Sequence, residues 1–135
     1  MARAALAFAV CVAAIPAWSA ESVHGEWRGT SICVNRRIAP ACNDEQVHLK
    51  FELYRHQRPD KVHLDAQKLV DGKYETMFEI DLGAVGDAWV HGFATRSGAR
   101  ARWTFRANGD QLDGRLVDEA SGSDVRKVSA QRWKP

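Results

Sequence analysis

The chain has 135 residues, of which 45% are hydrophobic and 27% charged, with 19 Lys and Arg against 17 Asp and Glu. A chain of this length forms one domain that buries roughly two-thirds of its unfolded surface. A formal net charge of +2 gives no general electrostatic ground for a nucleic-acid or membrane partner.

Residues 1–19 read as a secretory signal peptide. Arg3 is a short positive start, Ala4 to Ile15 an uncharged apolar core, and Pro16 a break before a small-residue cleavage site. Cleavage after Ser19 places Ala17 at −3 and Ser19 at −1. The apolar run falls short of the ~20 residues needed to span a bilayer. Cys11 does not read as a lipid-bearing cysteine, because Val10 before it is too large. Loss of Arg3 with the leader takes the basic total down by one from 19, against 17 acidic residues, so the expected mature chain, 20–135, carries +1. The expectation is an exported protein, periplasmic or secreted, with no membrane insertion.

The leader also removes Cys11, leaving Cys33 and Cys42. Export and an even count point to a disulfide. Closing so short a loop contributes ~2.5–3 kcal/mol in the chain-entropy model.

From Gly25 onward the hydrophobic pattern has period two, with no sustained helical period. Val47 to Leu53 places apolar residues at every odd position, and Val62 to Ala66 alternates likewise. A hairpin that pairs Leu53 with Val62, Phe51 with Leu64 and Leu49 with Ala66 also sets Lys50 opposite Asp65 and Glu52 opposite His63. At Asp71-Gly72 a two-residue loop would turn Phe78, Ile80 and Leu82 outward. A three-residue loop, Asp71 to Lys73, pairs Ala66 with Phe78 and keeps them inside. A three-residue loop at Arg96 to Gly98 pairs Trp89 with Phe105, His91 with Trp103 and Phe93 with Ala101. Asn108-Gly109 is the strongest turn signal and joins Ala101 to Phe105 with Leu112 to Leu116. After a turn at Ala120 to Ser123, a last strand runs from about Asp124 to Trp133. Eight strands joined by short loops predict an all-β, eight-stranded antiparallel up-and-down barrel, because closure removes the two free edges.

Gly25-Glu26-Trp27 at the head of such a meander resembles the lipocalin/calycin superfamily. That resemblance implies a barrel whose first-strand tryptophan, here Trp27, plugs the closed end. It also implies a basic residue of the last strand, Arg126 or Arg132, across the indole, a stack contributing ~0.5–2 kcal/mol. The chain departs from typical lipocalins in being shorter, in lacking the Thr-Asp-Tyr loop motif, and in having no C-terminal helix signal. It is also similar to small bacterial exported proteins that share the Gly-x-Trp-x-Gly-Thr start and the Cys-Asn-Asp-Glu segment, here Cys42 to Glu45, a similarity that carries no function with it.

The expected inward set holds Trp27, Phe51, Phe78, Trp89, Phe93, Trp103 and Phe105, enough rings either to fill the barrel or to line a shallow pocket at its open end. The pocket reading assigns ligand binding to Trp89, His91 and Trp103 and expects a small apolar or amphipathic ligand. The filled reading expects an envelope interaction protein or enzyme inhibitor that meets a protein partner through loops and an arginine-rich outer face. Arg100, Arg102 and Arg106 alternate on that face, with Arg115 opposite Arg102 if the Asn-Gly turn has two residues; Arg36-Arg37 is a second basic spot. Without an aromatic platform there, nucleic-acid binding is not expected.

No Gly-x-Ser-x-Gly elbow, phosphate-binding glycine loop or His-Glu-x-x-His is present. His24 precedes the barrel, His48 and His63 face outward with His48 opposite Gln67, and His56 falls in a turn. The acidic Asp118 to Asp124 loop lacks calcium-loop spacing. The expectation is a monomer that is not an enzyme and needs no cofactor or metal.

Overall fold

A computed structural model describes residues 4–11, 20–54 and 58–135. His56 and the cleavage site after Ser19 lie outside the described residues. A short helix, α1 (Ala20–Val23), precedes eight strands: β1 (Gly25–Cys33), β2 (Glu45–Leu53), β3 (Lys61–Val70), β4 (Lys73–Val85), β5 (Ala88–Ala94), β6 (Arg100–Asn108), β7 (Gln111–Asp118) and β8 (Asp124–Arg132). All pair antiparallel in chain order, and β1 closes on β8 to complete the barrel. The Cys33–Cys42 disulfide ties the end of β1 to the loop before β2, a bond suited to an oxidising environment.

The β2–β3 hairpin has the register expected from its alternation, with Leu53, Phe51 and Leu49 opposite Val62, Leu64 and Ala66. Ala66 also lies opposite Phe78 and Leu64 opposite Ile80. The loop that joins β3 to β4, however, is not the three-residue one. Val70 pairs with Lys73 across a two-residue Asp71-Gly72 turn, with φ of 49° and 81°, and the register shifts between Ala66 and Gln67. Gln67 lies opposite Thr76, so Met77 is the extra residue of a bulge. The bulge absorbs the residue that the longer loop was invoked to supply, and Asp-Gly takes the tight turn its chemistry favours.

A second correction concerns β6 and β7. The turn is Gly109-Asp110 rather than Asn108-Gly109, since Asn108 pairs with Gln111. Arg115 therefore faces Thr104, and Arg102 faces Val117. Side-chain volume selects this register: Phe105 lies opposite Gly114, where an added Cβ would come within 2.6 Å of the Phe105 ring.

Trp27, Trp89, Phe51, Phe105, Leu64, Leu82 and Leu112 are fully buried inside the barrel. Among the described residues every buried side-chain nitrogen or oxygen has a hydrogen-bond partner, as expected of a well-formed interior. β4 and β5 pair over only three residues, Gly83 to Val85 with Ala88 to Val90, so the two strands part toward the open end.

One outward histidine is nonetheless buried. His48 faces Gln67 on the outer surface, yet it is only 3% exposed. Tyr74 and Trp133 pack on its ring, and the Arg28 guanidinium lies 4.7 Å from the Tyr74 ring and 4.1 Å from that of Trp133. Arg28 Nε donates to His48 Nδ1 at 2.7 Å, so the ring hydrogen is on Nε2 and donates to Glu26 Oε1 at 2.9 Å. That bond, helped by Lys50, holds the Glu26 carboxyl below its ordinary value.

His63 stays half-exposed between two carboxylates of β4, Asp81 at 2.9 Å and Glu79 at 3.1 Å. The Asp81 hydrogen bond raises its pKa most, against a smaller opposing effect of burial. Asp81 is pulled below its ordinary value by hydrogen bonds from Tyr54 and His63. A raised histidine pKa stabilises the fold fully below the unfolded value of about 6.5, and that contribution is lost as pH rises through the folded value. Unfolding midpoints in denaturant should therefore fall on going from pH 6 to pH 8, and His63→Gln should flatten that slope. An unchanged slope in the variant would remove His63 as its source.

Candidate functional site

The barrel interior is filled at one end and open at the other. At the closed end Trp27 is completely buried, and its Nε1 donates to the Val23 carbonyl at 2.9 Å, so α1 forms a lid beneath the plug. Of the two candidate cations, Arg132 lies over the indole, 4.2 Å from the ring. It is held there by the carbonyls of His24 and Ser22 and by Asp110. Arg126 lies at the opposite end, near the disulfide loop.

At the open end a cavity of about 180 Å³ remains. Its apolar wall comes from Val47, Leu49, Ala66, Met77, Phe78, Trp103, Phe105 and Val128. Trp103 is the centre of a ring stack, 5.8 Å from Phe78 and 5.6 Å from Phe105, with Phe51 edge-on to Phe105. The bulge matters here, since it places Met77 and Phe78, consecutive residues of one strand, on the same cavity wall.

The mouth is polar. Ser31, Glu45 and Arg126 line it, and Glu45 stands 3.9 Å from Arg126 and 3.3 Å from Lys68. Arg126 donates to the Ser31 hydroxyl at 2.9 Å and to the Asn43 carbonyl at 2.7 Å. An aromatic wall below a guanidinium and a carboxylate can hold a ring or short chain and orient a polar group at its end.

Of the three residues assigned to the pocket from sequence, Trp103 lines the cavity and the other two do not. Trp89 is 1% exposed, deep in the core opposite Phe105. His91 is paired with Trp103 at the middle of β5, but it does not line the cavity; its Nδ1 donates to the Asp81 carbonyl at 2.9 Å and its ring stacks on Phe93. That hydrogen bond spans the place where β4 and β5 have parted. Sequence reasoning did not place Met77, Ser31 or Glu45 at the cavity, and it named Arg126 only as a candidate partner of Trp27. The bulge had no sequence signal distinct from a longer turn, and nothing in the alternation showed which polar residues meet at the mouth.

Among the described residues no group of three or more His, Cys, Asp or Glu is placed to hold a metal ion. The chain matches no protein-family model and no curated protein. Its own geometry therefore characterises it, as an antiparallel eight-stranded up-and-down barrel, consistent with a calycin-like fold, with a small aromatic cavity at the open end.

Proposed function

We propose that this protein is an exported, lipocalin-like binding protein that carries one small apolar or amphipathic molecule in the open end of its barrel and performs no chemistry on it. The observation that carries this reading is the cavity bounded by Trp103, Phe78 and Met77 with Arg126 and Glu45 at its mouth. Its volume of about 180 Å³ limits the ligand. An apolar cavity of ~150 Å³ accepts benzene, whereas drug-sized sites run to ~300–1,000 Å³. The ligand class is thus a single ring or short chain with one polar end. Signal-peptide removal after Ser19, a mature monomer of residues 20–135, and residence in the periplasm or outside the cell belong to the same reading. The disulfide supports it.

Native mass spectrometry of protein purified from a bacterial periplasm tests all of this. The expected spectrum shows cleavage after Ser19, a two-dalton deficit for the disulfide, and a stoichiometric adduct of small-molecule mass. Trp103→Ala should lose the adduct by removing the wall. Ala66→Leu should lose it by filling the cavity while leaving the fold intact, because added volume is tolerated where space exists. A bare mass, together with no quenching of tryptophan fluorescence by phenol at millimolar concentration, would overturn the reading.

A further inference from the structure

A second concavity lies on the outside of the barrel. A trough of about 580 Å³ crosses the outer faces of β6, β7, β8 and β1, lined by Thr30, Thr104, Arg106, Asp113, Arg115, Lys127 and Ser129 among others. Short hydroxyl side chains and long charged ones line it together.

Two rows of cross-strand neighbours define its chemistry. In one, Ile32 faces Lys127, Lys127 faces Arg115, and Arg115 faces Thr104. In the other, Thr30 faces Ser129, Ser129 faces Asp113, and Asp113 faces Arg106. Arg115 and Lys127 are thus like charges directly opposite each other, an arrangement that destabilises a sheet. Arg115 has a carboxylate neighbour, Asp124, but at 3.4 Å and to one side. An anion seated between the two cations would offset their repulsion. Two residues along β7, about 7 Å away at strand spacing, Asp113 offers an acceptor beside the hydroxyls of Ser129 and Thr30. An acceptor and hydroxyls next to a paired cation site are what a polyhydroxylated phosphate ester would use. Among the described residues that line it there is no aromatic ring on which a nucleobase could stack. Closure of the barrel between β8 and β1 also leaves no strand edge there for a peptide to extend.

We infer that this trough is a second binding site, for a phosphorylated sugar, with the phosphate between Arg115 and Lys127 and the sugar hydroxyls toward Asp113, Ser129 and Thr30. The inference does not depend on the interior cavity, and an empty barrel would leave it standing. The face is the outer arginine strip recognised in the sequence, but the register moves its centre from Arg102 to Lys127.

The test is calorimetric titration at low salt with three probes: glucose 6-phosphate, inorganic phosphate and glucose. Glucose 6-phosphate should bind about tenfold more tightly than inorganic phosphate, and glucose should not bind measurably. Lys127→Gln and Arg115→Gln should each weaken glucose 6-phosphate about tenfold or more, and raised salt should weaken it further. Asp113→Asn should weaken glucose 6-phosphate and spare inorganic phosphate. Arg102→Gln, on the same face but outside the trough, should change neither. The substituted side chains are exposed, so folding is not at stake, and removal of the like-charge pair should leave Lys127→Gln at least as heat-stable as the parent. Equal binding of the two phosphates would show an anion contact alone and overturn the sugar-phosphate assignment. Absence of saturable binding, or binding unchanged in Lys127→Gln, would overturn the site.

Discussion

Replacing Gly29 with alanine is expected to force β1 away from β8 and destabilise the protein by about 3 kcal/mol or more, at or beyond the upper end of ordinary overpacking. A Cβ at this position would fall 1.9 Å from the Ser129 carbonyl oxygen and 2.6 Å from the Ala130 Cα. Both obstacles are backbone, so no side-chain rotation relieves the clash. β1 and β8 form the seam that closes the barrel, with Gly29 paired to Ala130 at its middle, and moving them apart exposes two strand edges at once. Gly83→Ala is the matched control. It also lies in a strand, but its Cβ meets nothing within 4 Å, so a neutral or slightly stabilising effect is expected. Guanidinium unfolding followed by tryptophan fluorescence reads both. A Gly29→Ala midpoint equal to the parent's would mean that the seam adjusts freely.

Trp27→Ala is expected to destabilise the barrel by ~3–5 kcal/mol, the usual range for deleting a large buried ring. Three contributions are lost together: the burial of the indole, the Nε1 hydrogen bond to Val23, and the Arg132 stack. A cycle with Arg132→Met separates the last of these, because Arg132 also holds the His24 and Ser22 carbonyls and Asp110. The coupling energy between the two sites should be ~0.5–2 kcal/mol. Loss of less than about 1 kcal/mol in Trp27→Ala, well below what a buried ring is worth, would show that α1 and its neighbours collapse into the vacated space and that the plug is not structural.

Gly29 and Trp27 lie two residues apart on β1, and Trp27 belongs to the Gly25-Glu26-Trp27 stretch that resembles calycins. Trp27 at the closed end and Arg132 across it agree with the arrangement that the resemblance implies. The interior cavity, at about 180 Å³, is smaller than the ~300–1,000 Å³ of drug-sized sites. Phe51, Phe105 and Trp103 already fill much of the barrel between the plug and the mouth. The choice between a filled barrel and a cup has a mixed answer: aromatic core below, a ring-sized space above.

The strands, their order and most of their pairing were legible because they rest on local physics. Alternation assigns each residue of β2 and β3 to one face, and pairing apolar with apolar leaves one register in which Lys50 meets Asp65 and Glu52 meets His63. The Arg96 to Gly98 loop was readable for the same reason, since the other loop length would have exposed Trp89 and Phe93. Where two solutions kept the same faces inside, alternation could not choose. A bulge at Met77 and a longer Asp71 loop are equivalent by that criterion, as are the two registers of β6 on β7. Tertiary structure decided them, through the bulge at Met77 in one case and the fit of Phe105 over Gly114 in the other.

The candidate site was less legible. Trp103 was recognisable as an inward ring, but its partners depend on which residues meet across the barrel, many positions apart in the chain. Arg126 and Arg132 are alike in type, but six residues apart on one strand they sit toward opposite ends, and the antiparallel pairing of β8 with β1 sets Arg132 beside Trp27 and Arg126 beside Cys33. His48 illustrates the same limit on the outer face: period two points it toward solvent, and Trp133 and Tyr74 arrive from elsewhere to cover it. The sequence by itself determined the all-β class, the strand count and the face of nearly every residue, because side-chain alternation is a property of neighbours. The tertiary structure alone decided the bulge and the shape of the space left over, because these follow from shear and volume summed around the closed ring.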